Sequence, residues 1–142
     1  MSKNFKFIDH TADVAAMLEG SSLEELFIAG FEAWFSSLIE KSDLKYNDYL
    51  KLKISEKSPE ELLVSFLNEL NFLLITKKWL CLNLDSIKIS ESTEEVTLIS
   101  DIKGMKLNNN IELKNEIKSV TYHQMEIIKK KNIYSTLVVF DI

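Results

Sequence analysis

Near the N-terminus the chain reads Asp9-His10-Thr11-Ala12-Asp13, which concentrates two carboxylates, an imidazole and a hydroxyl in one short stretch. Carboxylate and carbonyl oxygens are hard ligands that suit calcium, magnesium or manganese. The same residue types also close Asx-type turns at strand ends, so the stretch alone leaves both readings open. The far end of the chain offers a second group. Tyr134 to Phe140 runs into Asp141 and then Ile142, placing the Asp141 side chain and an Ile142 carboxylate on adjacent residues. Adjacent like charges are unfavourable unless they are solvated or neutralised by a cation. If Asp13 lies beside Asp141 and Ile142, their convergence makes a divalent-cation site. A third group is Ile117-Lys118-Ser119-Val120-Thr121-Tyr122-His123. Strand alternation puts Ser119, Thr121 and His123 on one face and Lys118, Val120 and Tyr122 on the other. Lysine, hydroxyl and histidine suit phosphate or carboxylate, whereas a lone strand histidine more often packs or hydrogen-bonds.

Other chemistries find little to work with. There is no glycine loop for phosphates and no glycine-flanked serine elbow, and His10 and His123 are the only histidines, without zinc spacing. A hydrolase built on His10 with Asp9 or Asp13 lacks an evident nucleophile or oxyanion donor. Cys81 is the only cysteine, which excludes an internal disulfide and a thiolate cluster. Its apolar setting, Trp79-Leu80-Cys81-Leu82, predicts a core-filling thiol. The net charge is −5 and every basic residue apart from the two histidines is lysine. Without arginine, planar bidentate grip on phosphate or guanine is lost, so strong direct binding of nucleic acid is not expected. A role in RNA metabolism would then run through a protein that holds the RNA.

The elements that must position these groups follow from periodicity. With 142 residues, 46% of them hydrophobic and 27% charged, the chain suits one globular domain over residues 1–142. No membrane span or secretory signal is evident, which makes a cytoplasmic location the default. Phe5 to Ile8 and Val14 to Leu18 read as strands flanking the Asp9–Asp13 loop. Ser22 caps a helix whose stripe is Leu23, Leu26, Phe27, Gly30, Phe31, Trp34 and Leu38, with Glu25 completing a capping box. Tyr49 to Ser55 reads as a strand. Ser58 and Pro59 start a second helix carrying Leu62, Leu63, Phe66, Leu67, Leu70, Leu73 and Leu74. Leu82 to Ser90, Glu95 to Lys103, Ser119 to Lys129 and Tyr134 to Phe140 read as four further strands, with a hairpin turn at Lys129–Asn132. The expected fold is α+β, a mixed sheet with two amphipathic helices packed on one face.

Taken in order, these segments resemble the archease family. The matching pieces are Phe7-Ile8-Asp9-His10-Thr11-Ala12-Asp13, Gly20 leading into Leu23-Glu24-Glu25-Leu26-Phe27, and Leu62-Leu63-Val64-Ser65-Phe66-Leu67-Asn68-Glu69-Leu70. Ile117 to His123 and Val138-Val139-Phe140-Asp141-Ile142 complete the set. The resemblance spans essentially the whole chain and implies an accessory protein, not an enzyme, with no catalytic residue of its own. Its implied partner is an RtcB-type RNA ligase that uses GTP and manganese to join a 2′,3′-cyclic phosphate or 3′-phosphate end to a 5′-hydroxyl. The accessory protein would promote guanylylation of the ligase histidine, and its turnover, in tRNA splicing or RNA repair. The implied cofactor is a divalent cation, calcium first with manganese or magnesium as alternatives, held by Asp13, Asp141 and Ile142. Asp9, His10, Lys118 and His123 then become supports of that site or contacts to the partner. The chain departs from the family in the loop after Gly104, which reads Asn108-Asn109-Asn110-Ile111 where a histidine is often found. Two other readings remain: a chaperone-like partner of another RNA-processing enzyme such as a tRNA methyltransferase, and an independent metal-dependent hydrolase.

Overall fold

The structure is a computed structural model that describes residues 3–8, 13–40, 43–108, 111–121 and 125–142. Strands β1 (Lys3–Ile8) and β2 (Asp13–Gly20) precede helix α1 (Leu23–Leu38), strand β3 (Asp48–Glu56) and helix α2 (Pro59–Lys77). Strands β4 (Trp79–Glu91), β5 (Val96–Lys106), β6 (Ser119–Thr121), β7 (Ile128–Lys130) and β8 (Ile133–Asp141) follow. Among the described residues no helix is long and apolar enough to cross a membrane.

Both helices start where their caps place them. The Ser22 hydroxyl accepts from Glu25 N–H at 3.1 Å, and Glu25 reaches back to accept from Ser21 N–H at 3.1 Å. At the second helix the Ser58 hydroxyl likewise accepts from Glu61 N–H at 3.1 Å, and Pro59 fills its first turn where no donor is needed. Lys78 takes the left-handed conformation that ends α2. The helix-period stripes are buried as expected, with Phe27, Trp34 and Phe66 fully enclosed and the Phe27 and Phe66 ring centroids 5.9 Å apart. Leu73, at the margin of the second stripe, is only partly buried.

The class is α+β with two amphipathic helices, but the β-structure is two antiparallel sheets rather than one mixed sheet. One has the order β1-β2-β8-β6, with β7 also paired to β8; the other has the order β3-β5-β4. Helix α1 packs on β1, β2 and β8 and reaches β4, while α2 packs on β3, β4 and β5 and reaches β6. The two helical stripes therefore share one core with the inner faces of both sheets. Gly20 lets β2 turn tightly into α1. A Cβ there would stand 2.8 Å from the Glu25 carbonyl carbon and 2.9 Å from Leu26 Cα, closer than side chains tolerate.

The expected strand from Ser119 to Lys129 is two strands, β6 and β7, along the same edge of β8. Between Thr121 and Ile128 the edge chain has six residues where β8 has three between Val139 and Ser135, so three residues are surplus to the ladder. Thr136 Oγ1 donates to the Glu126 carbonyl at 2.8 Å and fastens that excursion. The turn between β7 and β8 falls where the sequence puts it. Lys131 and Asn132 both take positive φ, 52° and 64°, the pattern of a type I′ hairpin.

Candidate functional site

The site is built from the ends of β2 and β8. In the ladder Val14 pairs with Phe140, Ala16 with Val138 and Leu18 with Thr136, and all six side chains point toward the helices. Burial of this set fixes the register, because a slip by one residue would turn Leu18 and Phe140 to solvent. The same register sets Asp13 directly opposite Asp141, and Ser119 of β6 opposite Asp141 on its other side. Facing residues on neighbouring strands carry Cβ atoms about 4.5–5.5 Å apart on one face of a sheet. Two carboxylates and a hydroxyl therefore share one row at the end of the sheet, on the face turned away from the helices. Ile142 follows immediately and is 38% exposed.

The segment carrying Ser119 is stitched to α2 by two asparagine side chains on an otherwise leucine-lined helix. Asn68 Nδ2 donates to the Val120 carbonyl at 2.9 Å, and Asn68 Oδ1 accepts from Val120 N–H at 2.7 Å. One primary amide thus offers the edge strand the donor and acceptor that a further strand would supply. Asn71 Nδ2 donates to the Ile117 carbonyl at 2.7 Å, while Asn71 Oδ1 accepts from Trp34 Nε1 at 3.0 Å. On its other side the segment meets β8, where Lys118 N–H donates to the Asp141 carbonyl at 2.7 Å. A continuous hydrogen-bonded path leads from the buried Trp34 to the residue that carries one of the two carboxylates. Lys118 itself is exposed and precedes β6, so its main chain, not its side chain, is what the structure ties to Asp141. Periodicity alone assigns Asn68 and Asn71 no role; their signal in the sequence is two amides three residues apart on a buried helical stripe.

Asp9, His10 and His123 lie outside the described residues, as do Asn109 and Asn110 of the loop that departs from the family pattern. Among the described residues no group of three or more histidines, cysteines, aspartates or glutamates gathers as a metal cage. Asp13, Asp141 and the Ser119 hydroxyl instead form a partial set of hard oxygen donors at the end of the five-stranded sheet. Such a set fits magnesium or manganese, which take one or two carboxylates with waters or other ligands, and calcium with further oxygens added.

Cys81 stands apart from this site. It is fully buried, and desolvation pushes its thiol up to about 12. A thiol that stays protonated and enclosed is a poor nucleophile. We expect the native protein to resist a disulfide-exchange reagent at neutral pH and to react at its single thiol only once denaturant is added; prompt labelling of the folded protein would refute the core assignment.

The outer faces of the two sheets differ in character. That of β3-β5-β4 carries Lys51, Lys53, Lys88, Lys103 and Asp101, with Lys103 Nζ 3.1 Å from Asp85 and 4.5 Å from the Tyr46 ring centroid. The Asp85 hydrogen bond holds the Lys103 ammonium above its ordinary pKa. The outer face of the five-stranded sheet is apolar beside the carboxylate row. Ile8, Ala15, Val139 and Thr121 form the next row, and Lys6, Met17 and Leu137 the one after.

Comparison with known proteins bears on the family and the fold. Residues 5–142 match the archease protein family. The protein archease of Methanothermobacter thermautotrophicus is 28% identical over 140 residues, covering 99% of each chain. That of Saccharolobus islandicus is 30% identical over 141 residues, again covering 99% of each. The solution structure of Methanobacterium thermoautotrophicum protein 1598 superposes with a TM-score of 0.82 at 27% identity, over 97% of this chain and 98% of that one. A crystal structure described as an archease, possible chaperone, from Thermotoga maritima shares the fold, with a TM-score of 0.59 at 22% identity over 96% of each chain. With sequence match and fold agreeing from the first strand to the last, the chain belongs to the archease family.

Proposed function

We propose that this protein is an accessory factor that activates a GTP- and manganese-dependent RNA ligase of the RtcB type, by promoting guanylylation of the ligase and its turnover. The observation that carries this reading is the direct opposition of Asp13 and Asp141 across the β2–β8 ladder. Two carboxylates set side by side at a sheet end suit a cation that is shared with, or delivered to, a second protein. Asp13 and Asp141 would hold a divalent cation there, calcium, manganese or magnesium, with Ile142 and Ser119 beside them; the cation would supply positive charge where phosphates are handled. The chain's own contribution is position. The sheet fixes both carboxylates before the partner arrives, so little ordering cost falls on binding. Activation follows if the docked protein binds the guanylylation-competent ligase more tightly than the resting one, since only differential binding shifts a population or lowers a barrier.

The test is guanylylation of a matched ligase from labelled GTP, with wild-type protein and with Asp13→Ala. Loss of a metal-site group commonly costs about 10–100-fold, and we expect stimulation to fall by at least about tenfold while the variant melts as a folded protein. Equal stimulation by both proteins would sink the carboxylate reading. A chaperone-like partner of another RNA-processing enzyme, such as a tRNA methyltransferase, is the second reading, favoured by the apolar outer face of the five-stranded sheet. In that role Asp13→Ala would protect its client as well as the wild type does.

A further inference from the structure

We propose that the outer face of the five-stranded sheet, centred on Leu137 and Val139, is the surface that seats the ligase, and that the carboxylate row forms the acidic rim of that interface. The proposal rests on the reading of Asp13 and Asp141 as the groups presented to the ligase.

An antiparallel sheet with one face on the core normally turns a polar face to water. The three-stranded sheet mixes Tyr49 and Ile99 with four lysines and an aspartate on its outer face, whereas the five-stranded sheet gathers apolar side chains beside its carboxylate row. Ile8 is 42% exposed, Leu137 38% and Ile128 49%, all on the outward side of consecutive rows. A groove of about 320 Å³ runs across the face and is lined by Met17, Met125, Ile128, Leu137 and Val139 among others. Met17 lies partly exposed in this groove and the buried Met125 floors it; a flexible, polarizable thioether chain suits a surface that adapts to a partner. Contiguous apolar surface of this kind, rimmed by polar groups, marks a contact site in a soluble protein.

Register connects the groove to the carboxylates. Successive outward rows are two residues apart along the strand, about 7 Å. The order is Asp13–Asp141–Ser119, then Ile8–Ala15–Val139–Thr121, then Lys6–Met17–Leu137. A macromolecule that brings a cationic group to the first row must lay its neighbouring surface on the second and third. Charge selects the kind of occupant. The outward rows carry Asp13, Glu19 and Asp141 against Lys6 and Lys130, a net negative face. That complements a protein offering a cation within an apolar surround, and opposes a second copy of the same face. The arrangement reproduces the anatomy of protein interfaces, an apolar centre inside a polar rim.

The experiment measures binding of the purified protein to the matched ligase for wild type, Leu137→Asp, Leu137→Ala, Ile99→Asp and Asp13→Ala. Each is first checked by thermal melting and by sedimentation, and each is titrated alone with manganese and calcium. Ile99 is similarly exposed but lies on the other sheet, which makes it the control. We expect Leu137→Asp to weaken ligase binding by more than about tenfold and Leu137→Ala by several-fold. Ile99→Asp should bind as the wild type does. Leu137→Asp should keep the cation affinity of the isolated protein, and Asp13→Ala should lose it. Wild-type ligase binding by a folded Leu137→Asp, with Asp13→Ala still defective, overturns the docking face and leaves the carboxylate reading standing. Failure of the wild type itself to bind the ligase removes both. A wild-type dimer that Leu137→Asp dissociates assigns the face to a second copy and overturns the proposal.

Discussion

Trp34→Ala is expected to cost about 4–6 kcal/mol of folding stability, most of what a small domain has to lose. Trp34 is fully buried between the helices and sheets, so its truncation forfeits a large apolar contact and leaves a cavity. It also leaves Asn71 Oδ1 without the indole donor it accepts from. An enclosed acceptor stripped of its partner carries its own desolvation penalty of about 1–3 kcal/mol. Trp34→Phe separates the two effects, since it retains most of the apolar volume and deletes the donor. It should cost about 1–3 kcal/mol beyond the small loss of volume. Urea unfolding of both variants checks this, and a Trp34→Phe protein as stable as the wild type would show that the indole bond contributes nothing. The consequence reaches the sheet end, because the Asn71 amide that accepts from Trp34 also holds the Ile117 carbonyl.

Asn68→Ala is expected to cost about 2–4 kcal/mol and to loosen the edge strand beside Asp141. The substitution removes at once the partners of the Val120 N–H and carbonyl. Val120 is 3% exposed, so water does not readily replace them. In hydrogen exchange the Val120 amide should lose its protection in Asn68→Ala and keep much of it in Asn68→Asp, which retains an acceptor for that N–H. Ligase stimulation should fall in parallel with the exchange at Val120 and not with the global melting temperature. This separates a positioning role from a merely structural one. A fully protected Val120 amide in Asn68→Ala would mean that β8 alone orders the strand.

The match between sequence and structure is uneven for a physical reason. Helix signals are local. Ser22 with Glu25, Ser58 with Pro59 and Glu61, and the leucine and aromatic stripes specify both helices from contacts within four residues. The hairpin at Lys131-Asn132 is equally local, and the structure forms it with the expected turn. Strand boundaries depend on a neighbour. The split of the expected Ser119–Lys129 strand comes from the count of residues β8 offers along the same edge, which no window of the sequence contains.

The site divides along the same line. By itself the sequence determined that Asp13 and Asp141 end apolar strands, that Ser119 and Thr121 share a face, that Cys81 belongs to the core, and to which family the chain belongs. Alternation fixes which side chains of one strand lie together, because the pleat repeats every two residues. Only the tertiary structure decided that Asp13 stands opposite Asp141, that Asn68 and Asn71 bind the segment beside them, and that Ile8, Ile128 and Leu137 are left exposed on one sheet face. Those facts depend on register and on which face the helices occupy. Both are set by burial of Leu18, Val138 and Phe140 against residues distant in the chain, a long-range packing choice that no local pattern encodes.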